Sequence, residues 1–175
     1  TKVDAPDGLF AYKRENEETG FNSMKIEFYI NKPAQESCAY LFENYNKLYA
    51  ESNTAIKNEL VHSFGENAYV YRASLTPPRA VSKAREVTIY KMKIATEEGR
   101  HAIIGTCVEG AVPEDPANYI RAENKYQIHL FEPTTEDANR THVTVSFLAD
   151  PKGSIPSMVV NKMSQKRIKF YAKLK

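Results

Sequence analysis

Cysteine is nearly absent from this chain: Cys38 and Cys107 are the only two among 175 residues. Two isolated thiols build neither a disulfide framework nor a metal-ligand pattern, so the default setting is reducing and cytosolic. No apolar run approaches the ~18 residues of a membrane-spanning helix. No signal peptide stands before Thr1, and the missing initiator methionine is expected of a domain cut from a longer protein. A glycine-rich phosphate loop, a His-Glu-x-x-His helix and a Cys-x-x-Cys pair are all lacking, so no metal and no cofactor is expected. His62, His101, His129 and His142 are scattered singly. Ser146 and His129 are candidate neighbours across paired strands, but they lack an acid partner and an oxyanion site, and no catalytic residue is assigned. Cys107 has no activating cation beside it in sequence and reads as inert packing. The sequon Asn139-Arg140-Thr141 has no other sign of secretion to accompany it.

What the chain does contain is ordinary for a globular protein: 42% hydrophobic and 26% charged residues, enough to bury a real core as one domain over residues 1–175. The charge is uneven. No acidic residue follows Asp150, whereas Ile155–Lys175 carries six basic ones; without these six, 18 Lys and Arg face 22 Asp and Glu, a net of −4. A nucleic-acid binder is more often basic across a whole face, so that partner is not expected. The end itself opens on a turn, Asp150-Pro151-Lys152-Gly153, after which Ser154 is placed to cap a helix with Pro156 in its first turn. Val159, Met163, Phe170 and Leu174 then share one helical face, flanked by Val160 and Tyr171, and lysines fill the others. Such a basic amphipathic helix either lies on an anionic membrane surface or simply covers a sheet.

Upstream, Leu9–Glu15 and Met24–Asn31 read as strands joined around Thr19-Gly20. Ala34–Ala50 reads as a helix, with Cys38, Leu41, Phe42, Tyr45 and Tyr49 at three- and four-residue spacing. Six further strands are expected. Ala55–Phe64 and Asn67–Leu75 flank Gly65-Glu66, Arg85–Ala95 and Arg100–Glu109 flank Glu97-Glu98-Gly99, and Tyr119–Glu132 pairs with Thr141–Ala149. Strands, helix, consecutive antiparallel strands and a closing helix define an α+β protein. A curved sheet wrapped around the last helix would leave an apolar cavity between them.

Three landmarks stand in order: Val81-Ser82-Lys83-Ala84-Arg85-Glu86-Val87, Tyr119-Ile120-Arg121-Ala122, and Asp150-Pro151-Lys152-Gly153-Ser154-Ile155-Pro156. With them the chain resembles the START lipid-transfer family, whose fold is the helix-grip. The resemblance covers about Leu9 to Lys175, with the family's N-terminal helix absent or shortened. It implies an internal cavity under the C-terminal helix that holds one lipid, gated by the Thr76–Lys83 loop and the start of that helix. A lipid-binding, intermembrane transfer function follows, with transient contact between Lys162, Lys166 and Lys169 and an anionic membrane surface. The protein is then a monomer, cytoplasmic and peripheral at membranes. A lipid-sensing module of a larger protein and a helix-grip enzyme are the alternatives.

For the ligand, the resemblance places Arg72 and Lys91 where sterol carriers of the family hold an acid–arginine pair. Two buried cations need an anion, and a phospholipid phosphate suits arginine's planar fork. Otherwise one of them points outward, or Glu59 or Glu123 neutralises them. The headgroup determinants of the phosphatidylcholine carrier fall on Tyr49 and Asn53, and with no tryptophan any choline cage must be built from tyrosine. Val87, Ile89, Ile103, Cys107, Val145 and Phe147, with Val159 and Met163 from the helix, line the cavity or pack as plain core. Lys125 and His129 share a strand parity that faces inward.

Overall fold

The computed structural model of the chain describes the backbone of residues 1–51, 55–75 and 83–174, and within these every side chain except those of residues 55, 56, 157 and 161–166. Among the described residues ten strands form one curved sheet. The elements run β1 (Lys2–Val3), β2 (Leu9–Glu15), β3 (Asn22–Ile30), α1 (Ala34–Glu51), β4 (Ala55–Ser63), β5 (Ala68–Leu75), β6 (Ala84–Ala95), β7 (His101–Cys107), β8 (Tyr119–Arg121), β9 (Glu123–Pro133), β10 (Thr141–Asp150) and α2 (Ser157–Ala172). In space the order is β1-β2-β3-β10-β9-β7-β6-β5-β4. Every pairing on that path is antiparallel, and the hairpin turns expected around Gly20 and Gly65 are made with glycine at φ +67° and +81°, a backbone region that costs other residues more.

Both helices pack on one face of the sheet. Alternation along β3 puts Met24, Ile26 and Phe28 on that face, and β10 adds Val143, Val145 and Phe147. The apolar stripe of α1, Cys38, Leu41, Phe42, Tyr45 and Tyr49, meets them, and Ile168, Phe170 and Tyr171 of α2 complete the same core. A smaller cluster, Tyr71, Ala73, Val87, Ile89 and Ala122, continues the same face along β5 and β6. Among the described residues no helix is long and apolar enough to cross a membrane.

Three expectations are corrected. The strand read as Tyr119–Glu132 is two strands: β8 runs parallel to the start of β6, pairing Ala84, Arg85 and Glu86 with Tyr119, Ile120 and Arg121, before the chain turns into β9. The last helix begins at Ser157, with Pro156 at its N-cap and no side-chain cap bond, so Ser154 does not cap it. A proline disfavours helical backbone at the residue before it, which holds Ile155 out of the helix and moves the start forward. On α2, Ile168, Phe170 and Tyr171 are buried with Val160, so the expected Phe170 is kept and Ile168 is added, whereas Val159 is only half-buried. Met163, Lys162 and Lys166 have side chains outside the described residues, as does Asn53 and the gate segment from Thr76 to Ser82.

Candidate functional site

Strand register lays an inward-facing row across six strands: Tyr69, Lys91, Gly105, Gln127, Phe147 and Met24 on β5, β6, β7, β9, β10 and β3. A second row beside it carries Lys93, Ile103, His129, Val145 and Ile26. In a sheet buried by two helices these positions should be apolar. Lys91, Gln127 and His129 break the rule, and all three are fully buried.

Lys91 is the outlier. Its Nζ has no hydrogen-bond partner and lies 2.7 Å from the centroid of the Tyr45 ring and 5.4 Å from that of Tyr71. An ammonium on a desolvated ring face gains about 2 kcal/mol, whereas taking it out of water costs several. Desolvation therefore wins, and with the nearby Arg167 charge it pushes the Lys91 pKa well below the usual lysine range. Gly105 sits between Lys91 and Gln127; a methyl group there would meet Ile89, Lys91 and Gln127 at 3.5–3.7 Å.

Around Lys91 the polar groups form a chain. Gln127 Nε2 donates to the Tyr45 hydroxyl at 2.7 Å and to that of Tyr171 at 3.4 Å. The Tyr171 oxygen stands 2.9 Å from His129 Nε2. Burial, with the Arg167 charge behind it, holds His129 well below the ordinary histidine range, so its ring is neutral and Tyr171 donates to it. Gln127 Oε1 is left without a partner. From α2, the half-buried Arg167 guanidinium lies 4.4 Å from the Phe147 ring centroid and 5.8 Å from that of Tyr49. Burial raises Tyr71 and Tyr171 well above the usual phenol range, so neither supplies a phenolate to balance these cations. Among the described residues no carboxylate pairs with Lys91 or Arg167.

Of the residues singled out in the sequence, Lys91 and His129 meet here, and Ile103, Val145 and Phe147 pack beside them. Val87 and Ile89 belong to the smaller cluster, with Cys107 against it. Arg72 does not join Lys91. It faces the opposite side of the sheet, where it pairs with Glu86, which also takes Arg121 at 3.0 Å. The register explains it: Arg72 lies opposite Thr88, and Lys91 lies opposite Tyr69. Glu59 pairs with Lys57, and Glu123 with Lys125 and Lys152. Lys125 turns outward because a bulge at Leu148/Ala149 changes the parity of β9, and Asn124 is buried instead, its carboxamide unpartnered. Ser146 lies opposite Ile128, on the other face from His129, so the two do not meet. Burial pushes the Cys38 thiol up to about 11 and also raises Cys107, leaving neither activated. Lys169 is exposed on α2.

Sequence reading passed over Tyr45, Gln127, Arg167 and Tyr171 as site residues. Tyr45 looks like any apolar helix position, and Arg167 like one more surface cation. Gln127 was detectable, since it shares strand parity with His129.

Two features lie outside this interior. A cleft of about 250 Å³ opens on the opposite face, lined by Glu86, Glu114, Asp115, Tyr119 and Arg121 among others, with the Glu86 carboxylate already taken by its two arginines. Elsewhere, the buried Arg85 guanidinium donates to three backbone carbonyls, those of Lys83 (2.6 Å), Pro151 (3.2 Å) and Lys152 (3.1 Å). It thereby ties the start of β6 to the segment leading into α2. Lys152 and Gly153 there both adopt left-handed backbone, at φ 52° and 69°.

The sequence profile of the START domain family matches residues 50–175. The chain is also similar to solved structures over 99% of its length. One is human STARD10, at 21% identity and TM-score 0.76 over 71% of that chain. Another is the human StAR-related lipid transfer protein 5, at 19% identity and TM-score 0.78 over 83% of that chain. A third is a STAR-related lipid transfer protein from Xanthomonas axonopodis, at 16% identity and TM-score 0.80 over 94% of that chain. No curated protein matches the chain by sequence.

Proposed function

The chain belongs to the START domain family, and from that membership we propose that it binds one amphipathic lipid, a phospholipid, in the interior beneath α2 and carries it between membranes. The observation that carries this reading is the Lys91 amine, fully buried, without a hydrogen-bond partner and without a carboxylate. An unmatched buried polar group destabilises a fold by roughly 1–3 kcal/mol. A ligand bringing an acceptor to Lys91 removes that penalty, and the unpartnered Gln127 Oε1 then serves a headgroup hydroxyl or amine. Arg167 adds the second cation that Arg72 does not supply. The tyrosines around Lys91 make a choline cage a poor alternative, since the ring faces are already occupied by the protein's own amine.

Lipid chains shielded from water gain ~0.8 kcal/mol per CH₂, which lets such an interior compete with a bilayer. At the membrane, each basic residue near an anionic surface contributes ~1 kcal/mol. Lys162, Lys166 and Lys169 are the residues assigned that role, and Met158, 78% exposed in the first turn of α2, gives the same helix an apolar tip. No covalent step is needed.

Transfer of fluorescent phospholipid between vesicles by the isolated domain tests the proposal. Binding without transfer points to a sensing module, and a ligand recovered with altered mass points to an enzyme. Failure to take up any phospholipid ends the reading.

A further inference from the structure

We propose that the interior takes up its ligand's anionic group together with a proton, with Lys91 an uncharged amine in the lipid-free protein and an ammonium in the complex. The inference rests on the reading of this interior as the lipid site and adds the way that site is charged.

The geometry leaves little else. Lys91 faces Tyr45 from α1, Tyr71 from β5, Gln127 and His129 from β9, and Tyr171 and Arg167 from α2. Among these titratable and charged groups there is one permanent cation and no carboxylate. The histidine is held neutral and the Tyr71 and Tyr171 phenols protonated by the same burial. An ammonium here would be both desolvated and repelled by Arg167, with only ring faces in compensation. When a phosphodiester arrives, its charge cancels that of Arg167 and offers oxygens to Lys91, and the balance reverses: a charged hydrogen bond now stabilises the protonated form. Proton and anion then bind as a unit, and each favours the other equally. A neutral lipid of the same chain length triggers no such uptake.

The test uses two soluble probes with identical chains, dihexanoyl phosphatidylglycerol, whose single phosphodiester charge is fixed near neutrality, and dihexanoylglycerol, which has none. Calorimetric titration of each is run in two buffers of different ionisation enthalpy, for the wild type and for Lys91→Met. The buffer dependence of the heat gives the protons taken up per ligand. The expected result is close to one proton for phosphatidylglycerol and none for dihexanoylglycerol in the wild type. Lys91→Met binds phosphatidylglycerol at least tenfold more weakly, with no proton uptake. Independently of any variant, wild-type affinity for phosphatidylglycerol weakens by up to tenfold per pH unit as pH rises through neutrality, while that for dihexanoylglycerol stays level. Phosphatidylglycerol binding without proton uptake overturns this inference and leaves the lipid-binding reading standing. Binding of neither probe overturns both.

Discussion

Lys91 aims its amine at the face of Tyr45, with Nζ 2.7 Å from the ring centroid, and so joins strand β6 to helix α1 through a polar atom that nothing else satisfies. A side chain of equal length without the amine would keep the packing and lose the penalty. Lys91→Met is therefore expected to raise the stability of the lipid-free protein by roughly 1–3 kcal/mol, read from urea denaturation, while weakening phospholipid binding. A less stable Lys91→Met protein would count against the unpartnered amine.

The same amine gives the lipid-free protein a pH signature. Its folded pKa is depressed and its unfolded value is that of ordinary lysine, so the unfolded chain binds the extra proton between the two. Stability relative to Lys91→Met then rises with pH between those two values, by up to ~1.4 kcal/mol per unit, levels off above the unfolded value, and is lost on acidification toward the folded one. Denaturation of both proteins at pH 7, 8 and 9 checks it; parallel curves contradict a neutral Lys91.

Arg72 and Glu86 lie on the far side of the sheet from that amine. Arg72→Ala is expected to destabilise the domain, because Glu86 is only 1% exposed in its side chain and keeps only Arg121. Losing one member of a buried pair costs about 3–5 kcal/mol, somewhat less here because Arg72 is partly solvated. Phospholipid affinity of the folded fraction should not change. A loss of affinity at unchanged stability would return Arg72 to the ligand site.

The separation of Arg72 from Lys91 also marks how far the sequence could be read. Hairpins at Gly20 and Gly65 and the stripe of α1 are local patterns, fixed by residues a few positions apart, and the structure keeps them. The face that a strand residue takes depends on register with partners far away, and one position of slip reverses it. Arg72 reverses in this way, and Lys125 does so through the bulge opposite Ala149. The site is legible only in part for the same reason. Lys91 emerges from the family resemblance, but Tyr45 and Tyr171 reach its surroundings by bonding Gln127 from 82 and 44 positions away along the chain, and nothing local to the two tyrosines signals that meeting.

Arg85 holds the approach to α2 with three donors. Hydrogen bonds from a charged donor contribute about 1.5–3 kcal/mol each and are not additive, so Arg85→Met is expected to lose about 2–4 kcal/mol. Limited proteolysis should show faster cleavage around Pro151–Gly153. Unchanged cleavage would mean that the segment is held by Lys152 and its ion pairs to Asp150 and Glu123 instead.

Neutralising Lys162, Lys166 and Lys169 together is expected to slow lipid transfer from anionic vesicles severalfold and to leave transfer from neutral vesicles nearly unchanged, with the difference shrinking as salt is added. Equal slowing on both vesicle types would remove surface charge from the account.

The order of the strands has a bearing on how the protein is made. β10 lies between β3 and β9, so the β1–β3 meander reaches the rest of the sheet only through the last of the described strands in chain order. Until Thr141–Asp150 has been synthesised, β3 waits with an unsatisfied edge, more than a hundred residues ahead of its partner. Completion is therefore a late, long-range event, slow by the measure of contact order, and a nascent chain stalled before β10 is the form in greatest need of a chaperone.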